Sequence, residues 1–547
     1  MEFPLIRAER PPIDATNFIN GILGDRRPHV PEKNVPGGGN WVVQKFGGTS
    51  VGKFAVKIAE EVVKAGLDPK TDKRIAIVCS ARSTSTKSEG TTNRLVRAAH
   101  FAEDKGSGQF HGIVETIRVD HIVAGKEACK VRGEHSGNKI LDAYEAEVNR
   151  ECQLLVKILE SAQFLGDVTD RTNDMIISVG EKLSCLFMTA LLQSRGVPAA
   201  YVDLSNIISF EIAKRVDETF YKHVGKAIAA YIHKLGPDTV PVITGYFGNV
   251  PGGLLNSIGR GYTDLCAALT AVGLGAQELQ IWKEVDGIFT ADPRKVANAR
   301  LLDSVTPSEA SELTFYGSEV IHPFTMDQVV QAEIPIRIKN VMNPKNKGTI
   351  VLPDPEDELR VRRPGLFRGR SMSSLLRNDK ARRPTAVTTK RGITVLNVHS
   401  KKRTRAHGFL MSIFQILDKN GLSVDLISSS EVHVSMAIHS EIALLSGHSE
   451  EEMRIESDAL QAAVDALSVW GDVDLVPGMA IISLVGRQLR SMVGISGRFF
   501  STLGDHGINI EMISQGASEI NISCVIEEAN ADRALNVVHT NLFTFLE

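Results

Sequence analysis

Trp41-Val-Val-Gln-Lys45-Phe-Gly-Gly-Thr-Ser50-Val-Gly52 is a short apolar run that ends on a lysine and breaks into a loop of glycines and hydroxyls. Glycine permits close approach and unusual φ/ψ, so such a turn offers bare backbone N–H groups, two hydroxyls and one ammonium to an oligophosphate. The lysine precedes the glycines, whereas the Walker loop, GxxxxGK[ST], places it after them. The stretch therefore reads as a phosphate loop of another kind, set at the end of a strand.

Outward from it, β-branched runs alternate with amphipathic stretches to about residue 350. Strands are expected at Val42–Phe46, Arg74–Cys79, Ile176–Val179 and Ala199–Val202, and helices over 53–65 and 182–195. That alternation predicts right-handed βαβ crossovers and a mostly parallel sheet covered on both faces, with ligands at the strands' carboxyl ends. Between about 84 and 175 the chain is more polar and carries long helical stretches such as 142–165, the pattern of an insertion or lid. Residues 1–40 are rich in proline and glycine and read as a flexible extension. Residues 353–391 pass from acidic to arginine-rich and read as a basic linker.

An internal repeat follows the linker. Strand 393–398, helix 408–417, strand 422–427 and strand 432–438 return as 480–485, 497–503, 508–513 and 519–526. Each second strand opens on a similar turn, Lys419-Asn-Gly-Leu-Ser-Val-Asp425 and Asp505-His-Gly-Ile-Asn-Ile-Glu511. Two β-α-β-β units in tandem have the form of a pair of small sensor modules.

The chain of 547 residues exceeds one ordinary core, so several domains are expected. A formal charge of -3 offers no global attraction to nucleic acid or to a membrane surface. The arginine-rich linker lacks the interleaved aromatics of a nucleic-acid strand reader. Six scattered cysteines form neither a disulfide framework nor a zinc motif, and they read as reduced and mostly buried. The N-terminus has no signal-peptide apolar core and is too acidic for a transit peptide, and no apolar run suggests a membrane span, so a cytoplasmic protein is expected.

Four further motifs carry chemistry. Ser178-Val-Gly-Glu-Lys182 places a carboxylate after apolar residues, and Gly259-Arg-Gly-Tyr-Thr-Asp264 sets a cation, a hydroxyl and a carboxylate on one turn. Trp282-Lys-Glu-Val-Asp-Gly-Ile-Phe-Thr-Ala-Asp-Pro-Arg294 adds acids, aromatics and an arginine, and Arg337-Ile-Lys-Asn340 adds a lysine. In this order, and with the phosphate loop, they resemble the amino-acid kinase family over nearly all of 41–352. The repeat resembles paired ACT modules. Ser428-Ser-Ser-Glu-Val-His433, the insert Lys401-Lys-Arg-Thr-Arg405 and the basic linker are most similar to the fungal, monofunctional branch whose acceptor is L-aspartate.

The resemblance implies an α/β fold, an αβα sandwich over 41–352, followed by two ferredoxin-like ACT modules at 392–475 and 476–547. It implies ATP-dependent phosphorylation of the L-aspartate side-chain carboxylate to 4-phospho-L-aspartate, an early step of threonine and methionine formation. Lys45 and Asp264 would be the catalytic pair. Lys45, Gly47, Gly48 and Ser50 would line the phosphate path, and Lys283, Glu284, Asp286, Phe289, Asp292, Arg294, Lys339 and Asn340 the rest of the nucleotide site, Phe289 facing adenine and Arg294 the phosphates. Thr92, Glu181, Arg260 and Thr263 would hold aspartate, Arg260 on a carboxylate and Glu181 on the ammonium. No general base is required, because the attacking carboxylate is already ionised near neutrality. Mg²⁺ would ride on ATP rather than in a protein cage, so no protein metal ligand is assigned.

The effector site implied by the ACT pair comprises Gly408, Phe409, Leu410, Val424, Asp425, Ser430 and Glu431 in the first copy and Asn509, Ile510 and Gln515 in the second. L-Threonine is the expected inhibitor and lysine the runner-up. ACT modules complete their sheets against a second copy, which implies a homodimer or larger assembly. Two departures stand out. The family's Thr-Asp-Val-Asp-Gly is here Lys283-Glu-Val-Asp-Gly287, and its Arg-Gly-Gly-Ser-Asp is Arg260-Gly-Tyr-Thr-Asp264, where Tyr262 is expected to narrow the pocket. Another amino-acid kinase would share the phosphate loop, and a non-catalytic amino-acid sensor would share the repeat. Glu181 with Arg260 disfavours the first, and Lys45 with Asp264 the second.

Overall fold

The computed structural model describes residues 40–67, 72–83, 89–130, 135–208, 217–248, 250, 253–254, 261–316, 321, 323–352, 383–400, 408–430, 432–439, 445–446, 454–487, 489, 492–516 and 520–543. The N-terminal extension, most of the basic linker, Arg260 and Glu431 lie outside them. The strands of the first half are β1 (Trp41–Phe46), β2 (Arg74–Cys79), β3 (Ala199–Val202), β4 (Val240–Thr244), β5 (Glu278–Lys283), β6 (Ser304–Val305), β7 (Ile336–Asn340) and β8 (Thr349–Val351). They form one eight-stranded sheet in the order β3-β4-β2-β1-β5-β7-β8-β6. Every pair is parallel except β7 with β8.

Alternation along the central strands builds two cores. Trp41 and Val43 of β1 and Ala76 and Val78 of β2 face one layer of helices, while Phe46, Ile75, Ile77 and Cys79 face the other. Fully burying each large apolar side chain contributes about 1.5–3 kcal/mol, so both faces fix the register. A slip of one residue would exchange the layers. That matters for Lys45, which shares the parity of Trp41 and Val43. The helices are α1 (Gly48–Lys57, continued as a π-helix over Ile58–Lys64), α2 (Thr91–Glu103), α3 (Gln109–Ala128), α4 (His135–Leu165), α5 (Asp170–Ser194), α6 (Glu218–Ile232), α7 (Tyr262–Leu274), α8 (Pro307–Phe315) and α9 (Pro323–Gln331). Helices α1 to α5 pack on one face and α6 to α9 on the other, the sandwich expected from the sequence.

Several expectations change. The apolar run Ile176–Val179 is not a strand; it lies inside α5, whose residues from Ile176 to Leu192 are buried almost without interruption. A helix buried all round has no polar stripe, so its β-branched residues mimic a strand. Among the described residues α5 alone is long and apolar enough to cross a membrane, and 89% of its most apolar window is buried in the fold. The first helix begins at Gly48 rather than at residue 53, and it kinks at Phe54 (φ -126°, ψ 21°) before the π segment. Residues 337–340 are the strand β7 itself. The six cysteines are free and buried.

In the second half β9 (Ala386–Ser400) begins inside the stretch assigned to the linker. The remaining elements are α10 (Phe409–Lys419), β10 (Val424–Ser429), β11 (His433–His439), the short β12 (Leu445–Ser446) and β13 (Arg454–Ile455), α11 (Asp458–Leu467), β14 (Gly471–Val485), α12 (Ile495–Asp505), β15 (Met512–Ser514), β16 (Asn521–Glu527) and α13 (Ala531–Phe543). Of the expected strand 508–513 only its end is paired.

The repeat is interleaved rather than strung in series. β9 and β14, 15 residues each, form a central antiparallel ribbon in the order β10-β11-β9-β14-β16-β15. Residues 393–400 of β9 pair with the start of β14 in the first module, whereas 386–390 pair with 481–485 in the second. Each long strand bends at a glycine with left-handed φ, Gly392 (69°) and Gly478 (67°), a conformation other residues adopt only under strain. The helices of the two copies start alike, on Gly408 (φ 89°) and Gly494 (φ 78°), so the second copy opens three residues earlier than its sequence suggests.

The two halves share a junction. Ala291 and Val296, which follow the β5 motif, lie in one apolar cluster with Phe499, Leu535 and Val538 of the second module. Thr290 Oγ1 meets His539 Nε2 at 2.8 Å, and Arg300 donates to the Phe543 carbonyl at 3.0 Å. Buried Glu309 of α8 accepts from the Thr385 hydroxyl at 2.6 Å and the Arg487 amide at 3.0 Å.

Candidate active site

The site forms where the carboxyl ends of β1, β2, β4, β5 and β7 reach the rim of the sheet. Lys45 emerges on the α7 side and pairs with Asp264 at 2.6 Å, both side chains about one-eighth exposed at 12% and 13%. Asp264 lies in the first turn of α7, where a carboxylate is favoured by the helix's unpaired amides. Thr263, beside it, donates its hydroxyl to Glu181 Oε1 at 2.6 Å. Because that proton is committed, the Ser80 hydroxyl, 3.1 Å away, donates to Thr263. Helices from opposite faces, α5 with Glu181 and α7 with Thr263, thus meet past the strand ends.

Glu181 is 1% exposed. Burial pushes its carboxyl up to about 7, against the opposing pull of the Thr263 hydroxyl, the Tyr246 amide, the Tyr262 hydroxyl and the Lys45 charge. Tyr262 is driven well above the usual phenol range by burial and by Glu181. It is part of the apolar core, with its hydroxyl toward Glu181, rather than a wall projecting into an open pocket. A Cβ on Gly245, at the end of β4, would fall 2.6 Å from Thr263 Cγ2 and 2.9 Å from Glu181 Oε1, so only glycine fits there.

At the start of α1 Gly47 is the N-cap and no side chain caps that helix, which leaves first-turn amides for an anion. The helix lies flat on the extension of β2, with Ser83 N–H donating to the Gly48 carbonyl at 3.0 Å. A Cβ on Gly48 would sit 2.1 Å from the Ala81 carbonyl oxygen, and one on Gly52 1.9 Å from that of Ser83. Gly52→Ala is therefore expected to cost roughly 1–3 kcal/mol, read as a lowered Tm in thermal unfolding, and to raise the KM for the nucleotide; an unchanged Tm would mean the helix can lift off without loss. Buried Ser50 donates to Glu284 Oε1 at 2.7 Å. The Asn340 amide donates to Asp286 Oδ1 at 3.0 Å. Lys339 Nζ stands 5.0 Å from the Trp282 ring centroid, and burial lowers its pKa. Lys283, at the end of β5, is half-buried.

Other sequence-assigned residues are less central. Thr92 is half-buried in the first turn of α2, whose Thr91 packs against Gly180, one residue from Glu181. Phe289 is half-buried and bridges Leu301 through its backbone. Asp292 and Arg294 are occupied with each other at 2.9 Å, the Arg294 side chain is 85% exposed, and the hydrogen bond from Arg294 holds the Asp292 carboxyl below its usual range. Ser80, Gly245 and Tyr246 are not picked out by the sequence, and Gly52 closes the quoted loop there without a role of its own. The signal was present for one of them: Thr244-Gly245-Tyr246 follows an apolar strand just as Phe46-Gly47-Gly48 does.

In the regulatory half Gly408 caps α10, Phe409 is buried and Leu410 is 44% exposed. Val424 is half-buried and Asp425 pairs with Lys390. The Ser430 hydroxyl accepts from the His433 amide at 3.1 Å in the β10–β11 turn. Asn509 is exposed, Ile510 half-buried, and Gln515 accepts from the Ser496 hydroxyl at 3.0 Å.

A mostly parallel sheet carrying an ammonium and a glycine-capped helix opposite a buried carboxylate suits a small-molecule kinase, and residues 40–340 match the model of the amino acid kinase family, to which the chain belongs. Residues 482–542 match an ACT domain. The aspartokinase of Saccharomyces cerevisiae is 50% identical over 513 residues, 92% of this chain and 93% of that one. Escherichia coli aspartokinase III in complex with aspartate and ADP (R-state) has 26% identity and a TM-score of 0.68 over 92% of this chain and 99% of that one. The same enzyme in complex with lysine and aspartate (T-state) has 25% identity and a TM-score of 0.67 over 92% and 100%. Within the family the chain is grouped with the aspartokinases, and its activity is that of an aspartate kinase with an ACT regulatory region.

Proposed function

We propose that the enzyme transfers the γ-phosphoryl group of MgATP to the side-chain carboxylate of L-aspartate, giving 4-phospho-L-aspartate and ADP, and that L-threonine inhibits it through the ACT modules. The attacking carboxylate oxygen forms a bond to the γ-phosphorus as the bond to the β,γ-bridging oxygen breaks, and ADP leaves with that electron pair. The observation that carries the reading is the Lys45–Asp264 pair lying beside the Thr263–Glu181 hydrogen bond at the end of the central strand.

Lys45 and the amides of Gly47 and Gly48 offset the charge on the transferred group, which is where fixed donors act most strongly. Asp264 holds Lys45 in place. Ser50, fixed by Glu284, lines the phosphate path, and Lys283, Asp286, Asn340 and Lys339 flank the nucleotide. Glu181 receives the substrate ammonium, with Thr263 and Thr92 beside it and Arg260 on a substrate carboxylate. Among the described residues no group of three or more His, Cys, Asp or Glu side chains is placed to cage a metal. Mg²⁺ carried on ATP would add charge neutralisation, with Asp264 and Glu284 the carboxylates at that end of the sheet. Asp292 and Arg294 join the nucleotide only by breaking their own pair, with Phe289 at the adenine.

The same reading extends to a catalytic unit over 41–352, a homodimer or larger assembly through the ACT modules, a cytoplasmic location, and a place at the head of threonine and methionine formation. It is tested by an ATP- and Mg²⁺-dependent hydroxamate assay with L-aspartate, repeated with L-threonine and L-lysine. Turnover with aspartate that L-threonine suppresses is expected. Suppression by lysine alone would reassign the effector, and turnover of glutamate or acetylglutamate in place of aspartate would reassign the acceptor.

A further inference from the structure

Asp425 sits at the register shift of β10, between Val424 and Leu426, where the strand departs from regular pairing with β11. An irregularity of this kind re-aims a side chain. Asp425 turns inward, is 5% exposed, and meets Lys390 Nζ at 2.6 Å. Lys390 comes from the half of β9 that belongs to the second module, and its ammonium also stands 4.7 Å from the ring centroid of Phe315, the last residue of α8. Two residues earlier on the same strand, Thr388 donates its hydroxyl to the Tyr316 carbonyl at 3.0 Å. One ammonium therefore joins an edge strand of the first module, the shared ribbon and a helix of the catalytic half.

We propose that Lys390 is an internal occupant of the effector's ammonium site: it holds Asp425 when no amino acid is bound, and it sets both the affinity and the choice of effector. The inference rests on the proposed effector site that includes Asp425, and of its two carboxylates, Asp425 and Glu431, it takes Asp425 as the acceptor of that ammonium. A largely buried carboxylate accommodates one ammonium well, and a second cation brought beside the first is repelled. An incoming amino acid thus competes with Lys390. An effector with a second cationic group meets the displaced ammonium as well, whereas the neutral hydroxyl side chain of threonine does not. When Lys390 leaves Asp425 it also loses its place over Phe315, so an event at β10 is felt by α8, whose Ala310 and Leu313 lie in one core cluster with Leu265 of α7 and Ile281 of β5.

The test measures binding of L-threonine and of L-lysine to the full-length protein by calorimetry, with inhibition curves alongside, for wild type, Lys390→Met, Phe315→Leu and Asp425→Asn. Lys390→Met keeps the aliphatic stem and removes the charge, so L-threonine is expected to bind on the order of tenfold more tightly, and L-lysine to gain by a larger factor. Phe315 is 45% exposed, so its replacement is tolerated by the fold; Phe315→Leu loosens the hold on Lys390 and should tighten binding in the same direction by less. Weakened or unchanged binding in both variants, with Asp425→Asn abolishing it, would overturn the role of Lys390 and leave the effector site standing. Undiminished binding in Asp425→Asn, or no binding of either amino acid to wild type, would overturn the site and the inference together.

Discussion

Lys45→Ala is expected to lower kcat by about a hundredfold to a thousandfold, the scale seen when a fixed donor is removed from the charge that develops in a transition state. The reacting groups are both anions, so compensating their repulsion is the larger part of the catalytic task. At the end of the central strand stands the ammonium of Lys45, held by Asp264 at 2.6 Å. Asp264 is 13% exposed and can regain water when its partner is lost, so the accompanying loss of stability should be about 1–3 kcal/mol. Measuring hydroxamate formation together with thermal unfolding separates the two effects. A folded variant with kcat within tenfold of wild type would remove Lys45 from the mechanism.

Glu181→Gln carries the second large effect, and it acts with opposite signs on two measurements. The Glu181 carboxyl is raised from the ordinary 4.5 to about 7 by burial. Its contribution to stability is therefore fully present below about pH 4.5 and is lost as pH rises through about 7. That gap corresponds to roughly 3 kcal/mol as an upper bound. Glutamine cannot ionise, so the variant should gain stability relative to wild type between pH 5 and pH 8.5. Aspartate binding needs the ionised form for its ammonium, so wild-type kcat/KM for aspartate should climb through about pH 7 and then level. In Glu181→Gln that limb should flatten and the KM for aspartate should rise on the order of a hundredfold, while the KM for ATP moves little. A purely structural glutamate would lose stability and affinity together.

Much of this arrangement was legible in the sequence because its parts are local. Lys45 stands out as the last polar residue of an apolar run that breaks into glycines, and glycines after apolar runs mark the strand ends. Helix α5 was misread because burial on every side erases the polar stripe that distinguishes a helix from a strand. The Thr263–Glu181 and Ser50–Glu284 contacts join residues 82 and 234 positions apart, and no spacing rule reaches that far. Tyr262 looked like a pocket wall for the same reason: its place in the core depends on helix α7, which the motif alone did not reveal. In the regulatory half the turns were visible in the repeat, whereas the exchange of strand halves between modules was not, because each half of β9 satisfies the same alternating pattern.

Ala291 and Val296 bear on any attempt to obtain the phosphotransferase by itself. They follow β5 in the chain, yet their apolar neighbours belong to the far end of it. A fragment cut at residue 352 would expose an oily scar beside its own catalytic loop, and the hydroxyl of Thr290 would lose the imidazole that steadies it. Regulatory and chemical halves here share one packed seam rather than standing as separable parts.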